Sequence, residues 1–114
     1  IPHPTAPETE IWYASLEGPE AAAYIRGTAK LAKGKAHVAF PDHFQLISDA
    51  NSMTVLLTPL SGESKGMAVI EKTLEGFEVV ELMGGKGNYE CDWEVKCMRK
   101  GHEDDQPIRP KTQN

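Results

Sequence analysis

The sequence predicts an all-β domain of about seven short antiparallel strands, arranged as a small sandwich or barrel. Short apolar segments alternate with turns along most of the chain, and 10 glycines and 8 prolines supply the turn residues. The clearest strand lies near the end, where every second residue is apolar and those between are charged: Tyr89, Cys91, Trp93, Val95 and Cys97. This period of two gives a strand one apolar and one charged face.

Length and charge restrict the class of protein. A chain of 114 residues is expected to form one domain, and its apolar runs are too short for a transmembrane helix. The net charge of −5 argues against nucleic acid as a partner.

Residues 1–10 hold three prolines and are expected to form an extended arm, followed by the β domain at 11–100 and a polar extended tail at 101–114. Because the chain begins at Ile1, we expect either a processed terminus or part of a longer protein.

The first half of the domain begins with a short aromatic strand at residues 11–16. Residues 19–33 allow two interpretations. Pro19 and three alanines resemble a helix start, but residues 24–31 alternate between apolar and polar side chains, which favours a strand. Residues 35–40 alternate in the same way after a glycine-containing turn, so the two segments predict a β-hairpin. Residues 42–47 then predict one helical turn with Phe44 and Ile47 on the same side.

The second half contains the remaining strands. Residues 53–58 are apolar on both faces, so this strand is expected to be central in its sheet or to lie in an interface. Residues 67–72 and 77–82 flank a turn and predict a second hairpin. Glycines make residues 84–88 the strongest turn in the chain, and we interpret it as a hairpin turn before the last strand.

The two cysteines, Cys91 and Cys97, lie six residues apart on one predicted strand. That separation is roughly 20 Å along a strand, too far for a disulfide bond between them. We expect two small buried apolar side chains; an intersubunit contact is the alternative. Nearby histidine or further cysteine ligands are missing from the local sequence, which argues against a zinc site.

The sequence offers weak support for catalysis. Ser61 and Ser64 neighbour Lys65, but adjacent side chains in a loop seldom form a working dyad. His37 and His43 lie on different predicted elements and match no metal-ligand spacing. A small hydrolase is therefore the least favoured hypothesis.

A row of carboxylates on the last strand, Glu90, Asp92 and Glu94, is expected to be a solvated face that pairs with lysines such as Lys72. Three aromatic residues early in the chain form a candidate sugar-stacking platform, although core packing is favoured for them: Trp12, Tyr13 and Tyr24.

Several segments occur in an order that resembles a known family. They are the Ser–Glu–Pro–Glu pattern within residues 15–27, then 28–31 and 34–36, Phe-Pro-Asp-His-Phe at 40–44, Val-Leu-Leu-Thr-Pro-Leu at 55–60, 65–69, 76–77, 87–89, and the closing W-x-V-x-x-x-R-K-G at 93–101. The family occurs mainly as a β-rich C-terminal domain of bacterial secreted, cell-surface and phage tail-fibre-like proteins. The resemblance implies a non-catalytic, oligomerising module in an extracellular, cell-surface or virion location. Cys91 departs from the family pattern, which has an aromatic or other apolar residue there, and this leaves open a redox role.

These observations lead to one main functional hypothesis and one alternative. The main hypothesis is a structural subunit of an extracellular fibre or phage-like surface structure. It would associate with copies of itself, preferably as a trimer or higher assembly, through β surfaces and terminal arms. Its candidate interface or packing residues are Met53, Val55, Leu56, Leu57, Cys91, Trp93 and Cys97. The alternative is a carbohydrate-binding module that uses Trp12, Tyr13 or Tyr24 on surface glycans. No cofactor, metal, nucleic acid or membrane insertion is expected.

Overall fold

The computed structural model describes residues 22–101, and this part of the chain confirms the all-β fold class. The predicted strand at 11–16 and both terminal arms lie outside the described residues. Helix α1, Asp42–Ile47, occupies the predicted segment, and a 3-10 turn follows at Ala50–Ser52. Residues 22–101 contain six strands: β1 Ala22–Lys30, β2 Lys35–Ala39, β3 Thr54–Pro59, β4 Met67–Thr73, β5 Gly76–Glu81 and β6 Glu90–Met98.

The strands form two three-stranded antiparallel sheets, with orders β1-β6-β3 and β2-β5-β4. Their inner faces pack against each other, since residues of both sheets join one buried core. The predicted second hairpin is confirmed, because β4 and β5 pair directly across the Leu74-Glu75 turn. The described residues contain no helix that is long and apolar enough to cross a membrane.

The predicted first hairpin is wrong. β1 pairs with β6 and β2 pairs with β5, and only the bridge between Ala32 and Lys35 closes the turn between them. The glycine-rich segment 84–88 likewise connects β5 to β6 in the other sheet and is not a hairpin turn. These two connections contact each other, because the N–H of Gly34 donates to the carbonyl of Gly87 (2.9 Å). Alternation shows which side chains point inward, but it does not identify the neighbouring strand.

Of the two positions expected for the 53–58 strand, central in its sheet or in an interface, the central one is wrong. Among the described strands, β3 lies at the edge of its sheet and pairs with β6 alone. Val55 and Leu57 point inward and are half-buried, whereas Leu56 points outward and is 61% exposed. An apolar run on both faces therefore marks an exposed edge here.

The predicted apolar face of the last strand is confirmed in the core. Cys91, Val95 and Cys97 are fully buried on the inner face of β6, the central strand of its sheet. An aromatic cluster joins the sheets: the ring centroids of Phe77 and Trp93 lie 5.5 Å apart in an edge-on arrangement. α1 closes one side of this core: Phe44 and Ile47, predicted to lie on one side of the helical turn, are both buried.

Gly27 on β1 is directly opposite Trp93 on β6. A Cβ atom added to Gly27 would lie 2.9 Å from the Trp93 indole. The indole therefore packs against the backbone of Gly27, at the place where any other residue would have its Cβ atom. In this arrangement an aromatic side chain covers a glycine of the neighbouring strand.

Candidate functional site

The outer face of the β1-β6-β3 sheet is the first candidate surface. Cross-strand register places polar and charged side chains in rows: Arg26, Glu94 and Leu56 form one row, and Thr28, Asp92 and Thr58 form the next. The Thr28 hydroxyl donates to Asp92 Oδ1 at 2.7 Å. These rows are a direct consequence of the strict alternation along β6.

These two rows line a shallow groove of about 540 Å³. A volume of this size falls within the range of small-ligand sites. Its wall combines a guanidinium, two carboxylates, two threonine hydroxyls and the apolar side chain of Leu56. Tyr24 lies on the same outer face, one row further along β1, and is 37% exposed.

The free edge of β3 is the second candidate surface. The N–H of Leu60 donates to Glu90 of β6, and backbone groups alternate sides along an antiparallel strand. Even-numbered residues of β3 therefore direct their backbone groups towards β6, while Val55 and Leu57 direct theirs away from it. Within the described part of the chain, no backbone group pairs with those of Val55 and Leu57 on that side.

The side chains of β3 distinguish it from the other edge strands. Its sequence, Thr-Val-Leu-Leu-Thr-Pro, carries no charge. The edge strands β1, β2 and β4 all carry charged residues, and β4 also has an irregular register between Val69 and Glu71. Charges and bulges at sheet edges prevent unwanted pairing with other chains. Among the described edge strands, β3 therefore has the least protection against pairing.

The third candidate is a cluster of loops around Glu81, the last residue of β5. Its side chain points inward and is 8% exposed. The carboxylate accepts hydrogen bonds from the N–H of Gly87 (2.8 Å), the N–H of Lys65 (3.1 Å) and the hydroxyl of Tyr89 (3.0 Å). The Tyr89 hydroxyl also lies 2.7 Å from Ser64 Oγ. One carboxylate thus joins the loop after β3 to the connection before β6.

Hydrogen bonding and burial shift the pKa values of Glu81 and Tyr89 in opposite directions. The backbone N–H of Gly87, followed by that of Lys65, lowers the pKa of Glu81, because both bonds favour the ionised carboxylate. Burial is the main factor that raises the pKa of Tyr89. The pair is therefore a carboxylate beside a neutral phenol at neutral pH, a stable arrangement for holding loops together.

Within the described residues, His37 contacts neither Ser61 nor Ser64. Ser64 contacts Tyr89, and Ser61 Oγ accepts the N–H of Glu63. His37 Nδ1 lies 3.5 Å from Glu78 on the outer face of the other sheet.

The predicted pairing of the β6 carboxylates with Lys72 is wrong. Lys72 lies on β4 in the opposite sheet, where its Nζ donates to the carbonyl of Met53. Arg26 and Lys30 of β1 face Glu94 and Glu90 instead.

The predicted interface or packing residues separate into three groups. Met53, Cys91 and Cys97 are buried in the core, while Val55, Leu57 and Trp93 are half-buried on inner faces. Leu56 alone among them is an exposed surface residue. Both cysteines are free thiols, as expected. Of the candidate stacking residues, Trp12 and Tyr13 lie outside the described residues.

Sequence reasoning missed the role of Glu81 and the free edge of β3. A signal for Glu81 exists: it continues the inward alternation of Phe77 and Val79, where a core residue would be expected. Comparison with known proteins adds no assignment, since no family model and no curated protein matches the chain.

Proposed function

We propose that this chain is a non-catalytic structural subunit that associates with a second copy of itself through β3. The observation that supports this proposal is the uncharged edge of β3, which no other described strand pairs with, and Leu56 exposed beside it. The resemblance to β-rich domains of surface and tail-fibre-like proteins supports an extracellular fibre or virion setting. Edge pairing between chains is a known way for sheets to join.

The sequence of β3 suits antiparallel pairing across a two-fold axis centred on Leu56. In that register, Val55 opposes Leu57 of the second copy, and Thr54 opposes Thr58, so each position meets a side chain of similar character. Val55 and Leu57 of each copy would form four interchain hydrogen bonds. Pro59, which has no N–H, and Met53, whose carbonyl is taken by Lys72, limit the pairing to this centre.

The two leucines at the centre occupy a position without mutual hydrogen bonds, where opposing side chains approach most closely, with Cα atoms about 4.5 Å apart. Their contact would remove exposed apolar surface from water. A two-fold axis would make a dimer the basic unit, whereas the sequence led us to expect a trimer or higher assembly.

Mass measurement in solution tests the proposal. We expect the purified chain to have twice its monomer mass by sedimentation or light scattering, and the Leu56→Lys variant to have the monomer mass. The introduced ammonium group would face Glu94 within its own sheet, which is compatible with folding. In the dimer, two such groups would meet at the axis and repel.

Ile70→Lys is the matched control. Ile70 is 54% exposed on β4, an edge strand that already carries charges. This variant should keep the dimer mass. A wild-type monomer at about 1 mM, a concentration at which even weak association is visible, would refute the proposal.

The groove on the outer face favours a second candidate function, the binding of a neutral sugar. Arg26, Asp92 and Thr58 supply both donors and acceptors for hydroxyl groups, and Tyr24 is exposed on the same face. Titration with a panel of oligosaccharides tests it. Arg26→Ala should weaken binding while Lys86→Ala, in a loop outside this groove, should not; absence of binding by the wild-type chain would exclude this function.

A further inference from the structure

The free edge of β1 is longer than that of β3. The N–H of Leu31 donates to the carbonyl of Tyr89, the residue before β6, whereas the N–H of Ala32 points to the other side and donates to the carbonyl of Lys35. Alternation along β1 therefore directs the backbone groups of the even-numbered residues away from β6: Ala22, Tyr24, Arg26, Thr28 and Lys30. Within residues 22–101, no backbone group pairs with them on that side.

The inner face of β1 is also incompletely covered. Ala23 is buried, but Ile25 and Ala29, which point towards the same core, are only half-buried. Val95 and Cys91, which lie opposite Ile25 and Ala29 on the central strand β6, are fully buried. A further strand along β1 would cover this inner edge as well as supply backbone partners.

We propose that residues 11–16 of the same chain add this strand, antiparallel to β1. The segment Ile-Trp-Tyr-Ala-Ser-Leu is rich in residues that favour strands. It precedes β1 by a short connection that contains Gly18 and Pro19, residues typical of turns. An intramolecular connection gives the segment a high effective concentration at its own β1.

Side-chain direction selects the register. Inward residues of β1 are odd-numbered, so the apolar even-numbered residues of the segment must oppose them. A hairpin loop at residues 17–20 achieves this, because Trp12 then opposes Ile25, and Ala14 opposes Ala23. Tyr13 would oppose Tyr24 on the outer face. A shift of one residue would direct Trp12 to solvent.

A cross-link in the full-length chain tests both the pairing and its register. Tyr13→Cys combined with Tyr24→Cys places two thiols opposite each other, at a Cα separation of about 5.5 Å that a disulfide accepts. Mild oxidation should form a disulfide within one chain, so that the mass of the denatured single chain falls by that of two hydrogens. The control pair, Tyr13→Cys with Thr28→Cys, lies four residues out of register and should remain reduced.

Other outcomes would overturn the proposal. A disulfide-linked dimer from the first pair would show that a second copy supplies the strand. Equal cross-linking of both pairs, or of neither, would show that residues 11–16 do not occupy this register.

Amide hydrogen exchange of the unmodified chain provides an independent measurement. The amides of Tyr24, Arg26 and Thr28 should be protected as strongly as those of Ile25 and Ala29, which bond to β6. Rapid exchange at the even-numbered positions alone would refute the added strand. Since Leu56→Lys lies on the opposite edge of the sheet, this pattern should persist in that variant whether or not the chain dimerises.

Discussion

The two central strands, β5 and β6, make different use of the same inward alternation. On β6 every inward residue from Cys91 to Cys97 is apolar, so the strand only builds the core. On β5 the first two inward residues, Phe77 and Val79, are buried in the core, but the third is Glu81. Its carboxylate holds loops instead of core side chains. β6 therefore contributes only to the core of the sandwich. β5 contributes to the core and, through Glu81, also holds the loops at one end of the sandwich.

The two strands meet at Phe77 and Trp93, and the largest expected effect lies there. Phe77→Ala should lower the free energy of unfolding by about 3–5 kcal/mol, because it removes a fully buried ring and leaves a cavity. Urea denaturation measures the change. Ile70→Ala, at an exposed site of the same sheet, should change stability by less than about 0.5 kcal/mol.

Combining Phe77→Ala with Trp93→Ala sharpens this first comparison. Since the two rings are in contact, the loss in the double variant should differ from the sum of the single losses. Simple additivity would mean that each strand packs independently and that the aromatic contact does not couple the sheets.

The next effect concerns the side of β6 that faces β1. Gly27→Ala should lower the free energy of unfolding by about 1–3 kcal/mol, because the new methyl group displaces the Trp93 indole. Gly62→Ala is the control: a Cβ at Gly62 meets no atom within 4 Å. Equal stability of the two variants would mean that the indole moves at little cost.

Glu81 on β5 gives a pH-dependent effect. Its pKa is lowered in the folded protein, with 4.5 as the reference value. A lowered pKa contributes stability that is present above the unfolded pKa and lost as pH falls through the folded pKa. Wild-type stability should therefore exceed that of Glu81→Gln at pH 7, and the difference should shrink from about pH 4.5 downwards.

Urea midpoints measured over this pH range provide the check on Glu81. Glu75→Gln, which removes one carboxylate at an exposed site in the β4–β5 turn, is the control variant in the same measurements. A constant difference between wild type and Glu81→Gln would show that the charge of Glu81 does not hold the loops.

The extent to which sequence predicts this molecule follows from the same two strands. Alternation on β6 correctly predicts its buried face, and the β4–β5 hairpin follows from a short turn between matched strands. Strand order is not predictable in this way, because β1 and β2 alternate as a hairpin would but pair with β6 and β5. Alternation along β5 does mark Glu81 as an inward charged residue. Its partners lie in loops distant from it in sequence, and the free edge of β3 depends on strand order, so local patterns predict neither the contacts of Glu81 nor that edge.

The smallest effect compares the two ends of β6 through its thiols. Burial raises the pKa of both Cys91 and Cys97, so the reactive thiolate is scarce and shielded in the native state. A thiol reagent should label neither cysteine until the protein is unfolded, whereas Glu90→Cys, on the outer face of the same strand, should react at once.

Glu81→Gln then distinguishes the ends of β6. Cys91 lies two residues from Tyr89, which contacts Glu81, while Cys97 lies at the far end of the strand. Because loosening the loop cluster promotes local opening near it, the variant should speed labelling of Cys91 and leave Cys97 unchanged. Mass spectrometry of labelled peptides separates the two sites. If labelling of Cys91 and Cys97 became faster by the same factor, Glu81 would stabilise the whole sandwich and not one end of it. β5 and β6 would then differ in the residues they carry but not in what they stabilise.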